Sequence, residues 1–356
     1  MDDIYFSHGG NIYEVQRKYN KEVVDFSANI NPLGLSDLAR EKLLKNTEAV
    51  LHYPDPESKG LVKRISRYWQ IKEENILLGN GSSELIYLLA YVIRPEKTAI
   101  PAPIFSEYER AIRSINGKIQ FYRLKERDGF ALHLTPYREI DLLMICNPNN
   151  PTGNLLIENR RIDLSFAKLV LIDEAFLDFL PDEERHTFIW KATQDKRFMV
   201  LRTFTKIFAL PGLRVGYLVA HPDIVNRLKK ALPPWNINVF AQRIAEVMLS
   251  DKDYIEKTRE LIRKERDFLY KEMDKIEGLK PYPSVTNFFL VKIEDKKINS
   301  FDLTKKLIHR GIFVRNCWNF RYLGNRFVRI AVRSHFENVK LIKALRDILC
   351  RNSSRV

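Results

Sequence analysis

Residues 202–217 read "RTFTKIFALPGLRVGY". Lys206 stands there in a run of apolar and hydroxyl side chains, eight residues before Arg214. Most lysines in this chain read as surface charge, and this one does not. An amine in a partly dry, cation-rich pocket has a lowered pKa and forms Schiff bases readily. Thr203, Thr205 and Arg214 are the residue types that hold a phosphate dianion. On its N-terminal side "RFMVLRTF" (197–204) has the pattern of a strand. "RVGYLVA" (214–220) reads as a second strand, running in the opposite sense.

Further out, short apolar runs alternate with helical patterns from about residue 75 to 220. "NILLG" (75–79), "KTAIPA" (97–102), "KIQFYRL" (118–124), "DLLMICNP" (141–148) and "KLVLIDEA" (168–175) read as strands, and "SSELIYLLAYVI" (82–93) as a helix. This alternation predicts an α/β domain with a mainly parallel sheet. The run 253–276 predicts a long amphipathic helix with a solvated charged face. After it, "NFFLVKI", "IFVR" and "RFVRIAV" predict a smaller α+β domain. The expected division is an N-terminal segment 1–30 packed beside the small domain and covering the site, a large domain 31–240 and a small domain 241–356.

With 356 residues, 45% of them hydrophobic, the chain has ample material for two cores. Charged residues make up 29% without a long block of one sign, which argues against wholesale disorder. The formal charge of +14 suits nucleic acid, an anionic membrane face or an anionic small molecule. Cys146, Cys317 and Cys350 form no CxxC pair, so reduced thiols and the cytoplasm are expected. The start, "MDDIYFSHGG", lacks an apolar signal core, and no run of about 18 apolar residues predicts a membrane span.

Three more loops fall where strands of the large domain end, the edge at which open α/β sheets bind ligands. In "GNGSSELI" (79–86), Gly81, Ser82 and Ser83 precede a helix whose first amides are unpaired, which makes a phosphate cradle. Taken alone it is also an ordinary capped helix start. In "NPNNPTG" (147–153), prolines and glycine fix a loop that offers Asn149 and Asn150, or simply a turn. In "LIDEAFLDF" (171–179), Asp173 ends an apolar strand. A carboxylate there needs several donors or a cation, the cation being either a side chain or the protonated ring nitrogen of a ligand. A phosphate cradle, a carboxylate for a pyridinium nitrogen and a Schiff-base lysine together describe a pyridoxal phosphate site.

The order GSSE, NPTG, DEAF, TxTK and GLRxG resembles the fold-type I pyridoxal-phosphate enzymes of the aminotransferase class I/II family, over essentially the whole chain. The resemblance implies that Lys206 carries the cofactor covalently and that Asp173 pairs with its ring nitrogen. Asn150 would bond the ring oxygen, Tyr108 of "FSEYERA" would stack on the ring, and Ser82, Thr203, Thr205 and Arg214 would hold the phosphate. Tyr53 of "HYPDP" would reach the phosphate of a neighbouring subunit, which implies a homodimer.

Two branches of that family handle phosphorylated amines. One decarboxylates threonine phosphate, and the other transaminates histidinol phosphate. "HGGNIYEVQRKYN" followed by "VVDFSANINPLG" resembles the entry segment of the decarboxylating branch. There Gly9 and Gly10 make a turn offering backbone amides to an anion, and His8 and Asn29 add side-chain donors. Phe176 stands where the transaminating branch usually has a tyrosine, and cannot give the ring oxygen a second bond. Arg329 would hold the substrate carboxylate and Arg315 its phosphate, because a guanidinium donates two parallel bonds to either oxyanion. Arg333 stands where aminotransferases commonly have glycine, and is either a third substrate contact or a surface charge. A pyridoxal-phosphate-sensing regulator would carry a DNA-binding domain ahead of this region. The chain begins within about 80 residues of the phosphate loop, so the basic charge is expected to serve anionic substrate and cofactor, not nucleic acid. No metal site is expected.

Overall fold

The computed structural model describes residues 8–134, 140–158 and 162–349. Cys350 and the first seven residues of the expected N-terminal segment lie outside them. Twelve strands are present among the described residues: β1 (Val24–Phe26), β2 (Ile76–Gly79), β3 (Lys97–Ala102), β4 (Lys118–Arg123), β5 (Ile140–Cys146), β6 (Ala167–Asp173), β7 (Phe198–Thr203), β8 (Gly216–Ala220), β9 (Leu279–Pro281), β10 (Phe288–Ile293), β11 (Ile312–Asn316) and β12 (Phe327–Ala331).

Seven of them form the large sheet, in the order β2-β8-β7-β6-β5-β3-β4. Strands β4, β3, β5, β6 and β7 are parallel neighbours, while β8 runs antiparallel to both β7 and β2. The "RVGYLVA" run therefore reverses direction as its sequence suggested. Strands β5 to β7 are almost continuously apolar because both faces are covered. Leu143, Ile145, Val170, Ile172, Phe198 and Val200 face one core. Their alternates Leu142, Met144, Leu171, Met199 and Leu201 face the other. This two-residue period also assigns the strand ends. Cys146 lies with the second core, and Asp173 and Thr203 share the parity of its residues, whereas Arg202 shares that of the first.

The smaller sheet has the order β1-β11-β12-β10-β9. It is antiparallel except at β1, which pairs in parallel with β11. Val24–Phe26 is thus built into a sheet whose other strands all come from the C-terminal part of the chain. Val15, Ile308 and Phe313 make a small satellite core beneath this junction. The long helix Lys252–Asp274 buries Tyr254, Ile255, Ile262, Leu269 and Met273 on one stripe. The core on that side of the large sheet continues without a break into the small sheet through Phe176 and Phe288, which meet edge-on at 4.9 Å.

Candidate active site

The ends of β2, β5, β6 and β7 open into one cavity of about 500 Å³. Its wall contains Ser82, Ser83, Tyr108, Asn150, Asp173, Phe176, Thr203, Thr205, Lys206 and Arg214 from the large-sheet side, together with His8, Gly9, Asn29, Arg315 and Arg329. Residues scattered from 8 to 329 therefore meet in one place.

One corner is built for an anion. Gly81 adopts φ +79° ahead of the helix Ser82–Ile93, and no side chain caps that helix. A Cβ on Gly81 would lie 2.4 Å from Arg214 Nη2, so the glycine admits the guanidinium. A Cβ on Gly216 would lie 2.8 Å from the Ser82 nitrogen and 2.9 Å from the Arg202 carbonyl. The two glycines let β8 and the helix start close up, which brings Arg214 to the uncapped amides of Ser82 and Ser83. Thr203 ends β7 at the same corner and Thr205 lies just beyond it, its N–H donating to Thr203 Oγ1 at 3.1 Å.

Asp173 is 4% exposed. Its Oδ2 accepts from the Tyr108 hydroxyl at 2.6 Å and its Oδ1 from the Ala175 N–H at 2.9 Å. Among the described residues no side chain forms an ion pair with it. Burial raises its pKa, against the bonds from Tyr108 and Ala175 and the charges of Lys206 and Arg202. Such a carboxylate on a cavity wall calls for a cationic partner from outside the chain. Lys206 is half-buried, with Nζ 5.6 Å from the centre of the Phe176 ring. Burial, then the charges of Arg329 and Arg214, push its pKa down to about 8. That keeps a sizeable fraction of the amine neutral and nucleophilic near physiological pH.

A second group of donors lies toward the small sheet. Arg315 and Arg329 are directly opposite each other on β11 and β12. Both are buried, at 3% and 6% exposure. Burial lowers both pKa values, that of Arg329 to about 10. Arg315 donates to the Asn316 carbonyl and to Asn319 Oδ1, both at 2.7 Å, and lies under the Phe320 ring. Arg329 donates to Asn150 Oδ1 at 2.5 Å and to the Ser27 carbonyl at 2.7 Å, leaving its Nε without a protein partner. Asn29 is 1% exposed, yet neither its Oδ1 nor its Nδ2 finds a protein partner. A buried amide left open on a cavity wall marks a place for a ligand.

The N-terminal turn spans these two regions. His8 Nε2 lies 2.8 Å from Glu107 Oε1, on the helix Ser106–Ser114 of the large-sheet side. Glu107 also accepts from Tyr87 and from Arg110, both at 2.9 Å. On the other side Gly9 packs so closely on Ser27 that a Cβ would fall 2.0 Å from its carbonyl oxygen.

Two expectations need correction. Gly10 is not on the cavity wall, and its N–H is already spent on Ser27 Oγ at 2.8 Å, so it docks the turn and is not free for an anion. Arg333 is not on the wall either. It lies beyond the end of β12, where the guanidinium pairs with Glu337 at 2.9 Å and the backbone N–H is capped by Asn338. Tyr53, expected at a neighbouring subunit's site and not at its own, is 81% exposed and packs with its ring tilted against Trp235 at 4.7 Å.

Sequence reasoning missed Glu107, Arg110, Phe105 and Phe320 on the wall. It also missed a buried charge network behind the site. Arg202, 1% exposed, meets Glu174 at 2.9 Å, Asp178 at 3.0 Å and Glu183 at 3.1 Å, with its guanidinium 4.6 Å from the Trp69 ring centre. The signal was available: an arginine inside "FMVLRT" must find acids, and "DEAFLDF" and "DEER" follow β6. Among the described residues there is no cluster of three or more acidic, histidine or cysteine side chains able to hold a metal.

This chain belongs to the aminotransferase class I and II family, whose model matches residues 21–348. Among curated relatives it is 35% identical to the threonine-phosphate decarboxylase of Salmonella typhimurium, over 96% of each chain. Two solved structures share the fold. The L-threonine-O-3-phosphate decarboxylase of Porphyromonas gingivalis has a TM-score of 0.82 and 26% identity, with 91% of this chain and 98% of that one covered. The histidinol-phosphate aminotransferase of Clostridium acetobutylicum has a TM-score of 0.83 and 31% identity, covering 92% and 99%. Pyridoxal phosphate is the cofactor of this family, and the cavity fits it. An uncapped helix start with Arg214 suits its phosphate, the unpaired Asp173 its ring nitrogen, and the depressed Lys206 amine its aldehyde.

Proposed function

We propose that the chain is a pyridoxal-phosphate-dependent decarboxylase of L-threonine O-3-phosphate, releasing carbon dioxide and 1-amino-2-propanol phosphate. The observation that carries this reading is the second donor cluster. The open amide of Asn29, His8 on the N-terminal turn and the opposed pair Arg315 and Arg329 line the same cavity from elements other than those that form the corner suited to the cofactor's phosphate. Two buried like charges side by side are stabilised by anions, and a substrate with both a phosphate and a carboxylate supplies two. The 35% identity to the Salmonella decarboxylase supports the same choice.

In this reading Ser82, Ser83, Thr203, Thr205 and Arg214 hold the cofactor phosphate, Tyr108 and Phe176 border its ring, and Lys206 carries it covalently. Pyridoxal phosphate supplies an electron sink conjugated to the substrate's α-carbon. Asp173 keeps the ring nitrogen protonated. Asn150 has its oxygen committed to Arg329, so its N–H groups remain for the ring oxygen. Phe176 offers that oxygen nothing. Arg315, with His8 and Asn29, holds the substrate phosphate, and Arg329 the carboxylate. Gripping both ends selects the rotation about the α-carbon and so the bond that breaks. Lys206, set free when the substrate's amine takes its place, would return a proton to the α-carbon where the carboxylate has left.

The chain is further proposed to act as a cytoplasmic homodimer, in which Tyr53 serves the neighbouring site, and to divide at residues 30 and 240. Tyr53 projects from a surface that also exposes Leu44, Val50, Leu51 and Trp235. No described helix is long and apolar enough to cross a membrane. The deciding experiment incubates the enzyme with threonine phosphate and measures released carbon dioxide without added 2-oxoglutarate. Rapid glutamate formation from histidinol phosphate and 2-oxoglutarate, with no carbon dioxide from threonine phosphate, would replace this reading with the aminotransferase one.

A further inference from the structure

We propose that Tyr108 does more than border the cofactor ring: its phenol sets how tightly Asp173 holds the proton on the ring nitrogen. The inference rests on the assignment of Asp173 to that nitrogen.

The geometry is specific. The Tyr108 hydroxyl donates to Asp173 Oδ2 at 2.6 Å, a short bond between two buried side chains. The ring of Tyr108 is fixed edge-on against Phe105 at 5.7 Å, so the hydroxyl cannot swing away without breaking that packing. The other oxygen of Asp173 is engaged by the Ala175 N–H. The neighbouring Cys146 thiol donates to the Pro148 carbonyl and also lies against the Tyr108 hydroxyl. The charged and titratable groups around the carboxylate are thus Tyr108, Cys146, Lys206 and Arg202. Burial, then the nearby Asp173 charge, holds the phenol pKa well above its usual value, so Tyr108 remains an O–H donor.

A carboxylate has about four lone-pair sites, and each donor already bound draws negative charge away from it. Hydrogen bonds to the charged form lower a carboxylate's affinity for a further proton. A ring N–H arriving at Asp173 therefore meets a base weakened by Tyr108. Two consequences follow. The ring nitrogen gives up its proton at a lower pH than it would beside an otherwise identical carboxylate. The ring also binds less tightly, because it must share an oxygen with the phenol. In return the phenol keeps Asp173 satisfied whenever the ring is absent. A residue that only stacked on the ring would have neither effect.

The test uses pyridoxamine phosphate, which cannot condense with Lys206, so binding is non-covalent. Its affinity is measured by calorimetry on the full chain, and the protonation of a nitrogen-15-labelled ring is followed by NMR across pH. Tyr108→Phe keeps the stacking surface and removes the donor. It should bind about tenfold more tightly and raise the nitrogen's titration midpoint by about one pH unit, one such unit being a tenfold change in proton affinity. Site-specific 3-fluorotyrosine at 108, a stronger donor of nearly the same shape, should move both readouts the opposite way. It also keeps the test alive if Tyr108→Phe folds poorly. Unchanged or weaker binding in Tyr108→Phe, or a midpoint that moves with neither replacement, would overturn the proposal and leave Tyr108 as a packing surface. Asp173→Asn separates this from the underlying assignment. It should weaken binding and erase the effect of Tyr108→Phe when combined with it. If Asp173→Asn binds as the parent does, the assignment of Asp173 itself is what fails.

Discussion

Arg329 Nη1 donates to Asn150 Oδ1 at 2.5 Å, joining β12 of the small sheet to the loop after β5 of the large one. The bond fixes which way the Asn150 amide faces, because its oxygen is taken and only N–H groups remain to be offered. Arg329 is also tied to the Ser27 carbonyl, beside the strand that carries the N-terminal turn into the small sheet. One guanidinium thus links the loop after β5, the small sheet and the N-terminal segment. Arg329→Lys keeps the charge and loses the fork. Charge-assisted bonds are worth about 1.5–3 kcal/mol each. The expected result is a fall in kcat/KM of about 10- to 100-fold, with KM for threonine phosphate rising. Steady-state kinetics checks this, and an unchanged KM would show that Arg329 does not hold the substrate.

Lys206 should capture the cofactor with a characteristic pH dependence. Its amine is held near 8, below the usual 10.5, so the neutral form appears as pH rises through about 8. The rate at which the cofactor-free protein takes up pyridoxal phosphate should rise through that midpoint and level off above it. Stability follows the same sign. Between about 8 and 10.5 the unfolded chain holds the proton that the folded one has lost, so this lysine's contribution to stability improves as pH rises through that window. Lys206→Ala should fold and lose the borohydride-reducible adduct. An adduct that persists would place the attachment elsewhere.

Glu107 is a carboxylate in the wall of a cavity proposed to take an anion, and its partners explain why that is tolerable. Burial opposes its ionisation, but the bonds from His8, Tyr87 and Arg110 outweigh it and hold the carboxyl down at about 2. Its stabilising effect is therefore full above about 4.5 and is lost as pH falls toward 2. Glu107→Gln should loosen His8, raising KM for threonine phosphate about three- to tenfold while changing kcat less, a factor in keeping with one weakened polar contact. A fall in kcat with KM unmoved would mean that Glu107 does not position the turn.

Gly216 separates a packing requirement from a merely local preference. Gly216→Ala would push a methyl against the Ser82 nitrogen and the Arg202 carbonyl, which are backbone atoms with little room to yield. Overpacking of this kind costs about 1–3 kcal/mol. Nothing lies within 4 Å of a Cβ at Gly212, so Gly212→Ala should be close to neutral. Urea unfolding of the two variants checks the contrast, and equal midpoints would refute it.

Arg202 tests the charge network. Arg202→Met leaves Glu174, Asp178 and Glu183 with Arg259, which reaches Glu183 at 2.8 Å, as the remaining arginine of the group. Breaking a buried pair from one side costs about 3–5 kcal/mol. The expected loss of stability should shrink at lower pH, where the stranded carboxylates can be protonated. A loss independent of pH would assign the effect to packing against Trp69 alone.

The sequence by itself determined the strand runs of the large sheet, the reversal at β8, and the loops that end at the cavity. Lys206, Asp173, Asn150 and Arg214 were legible because each interrupts or ends a run whose physical pattern is local: two-residue alternation, a turn, or the start of a helix. Tertiary structure alone decided which polar residues outside that expected set share the cavity, and which expected ones lie off it. Glu107 looks, in sequence, like an ordinary partner of Arg110 one helical turn away, and only the folded chain brings His8 against it. Arg329 and Arg333 look alike in "FVRIAVRS". The sheet separates them, since β12 holds Arg329 opposite Arg315 and ends at Ala331, after which strand alternation no longer aims a side chain and Arg333 turns to Glu337 on the next helix. Local pattern reports where a residue sits on its own element. What that element faces depends on contacts between distant segments, and those form only when the cores close.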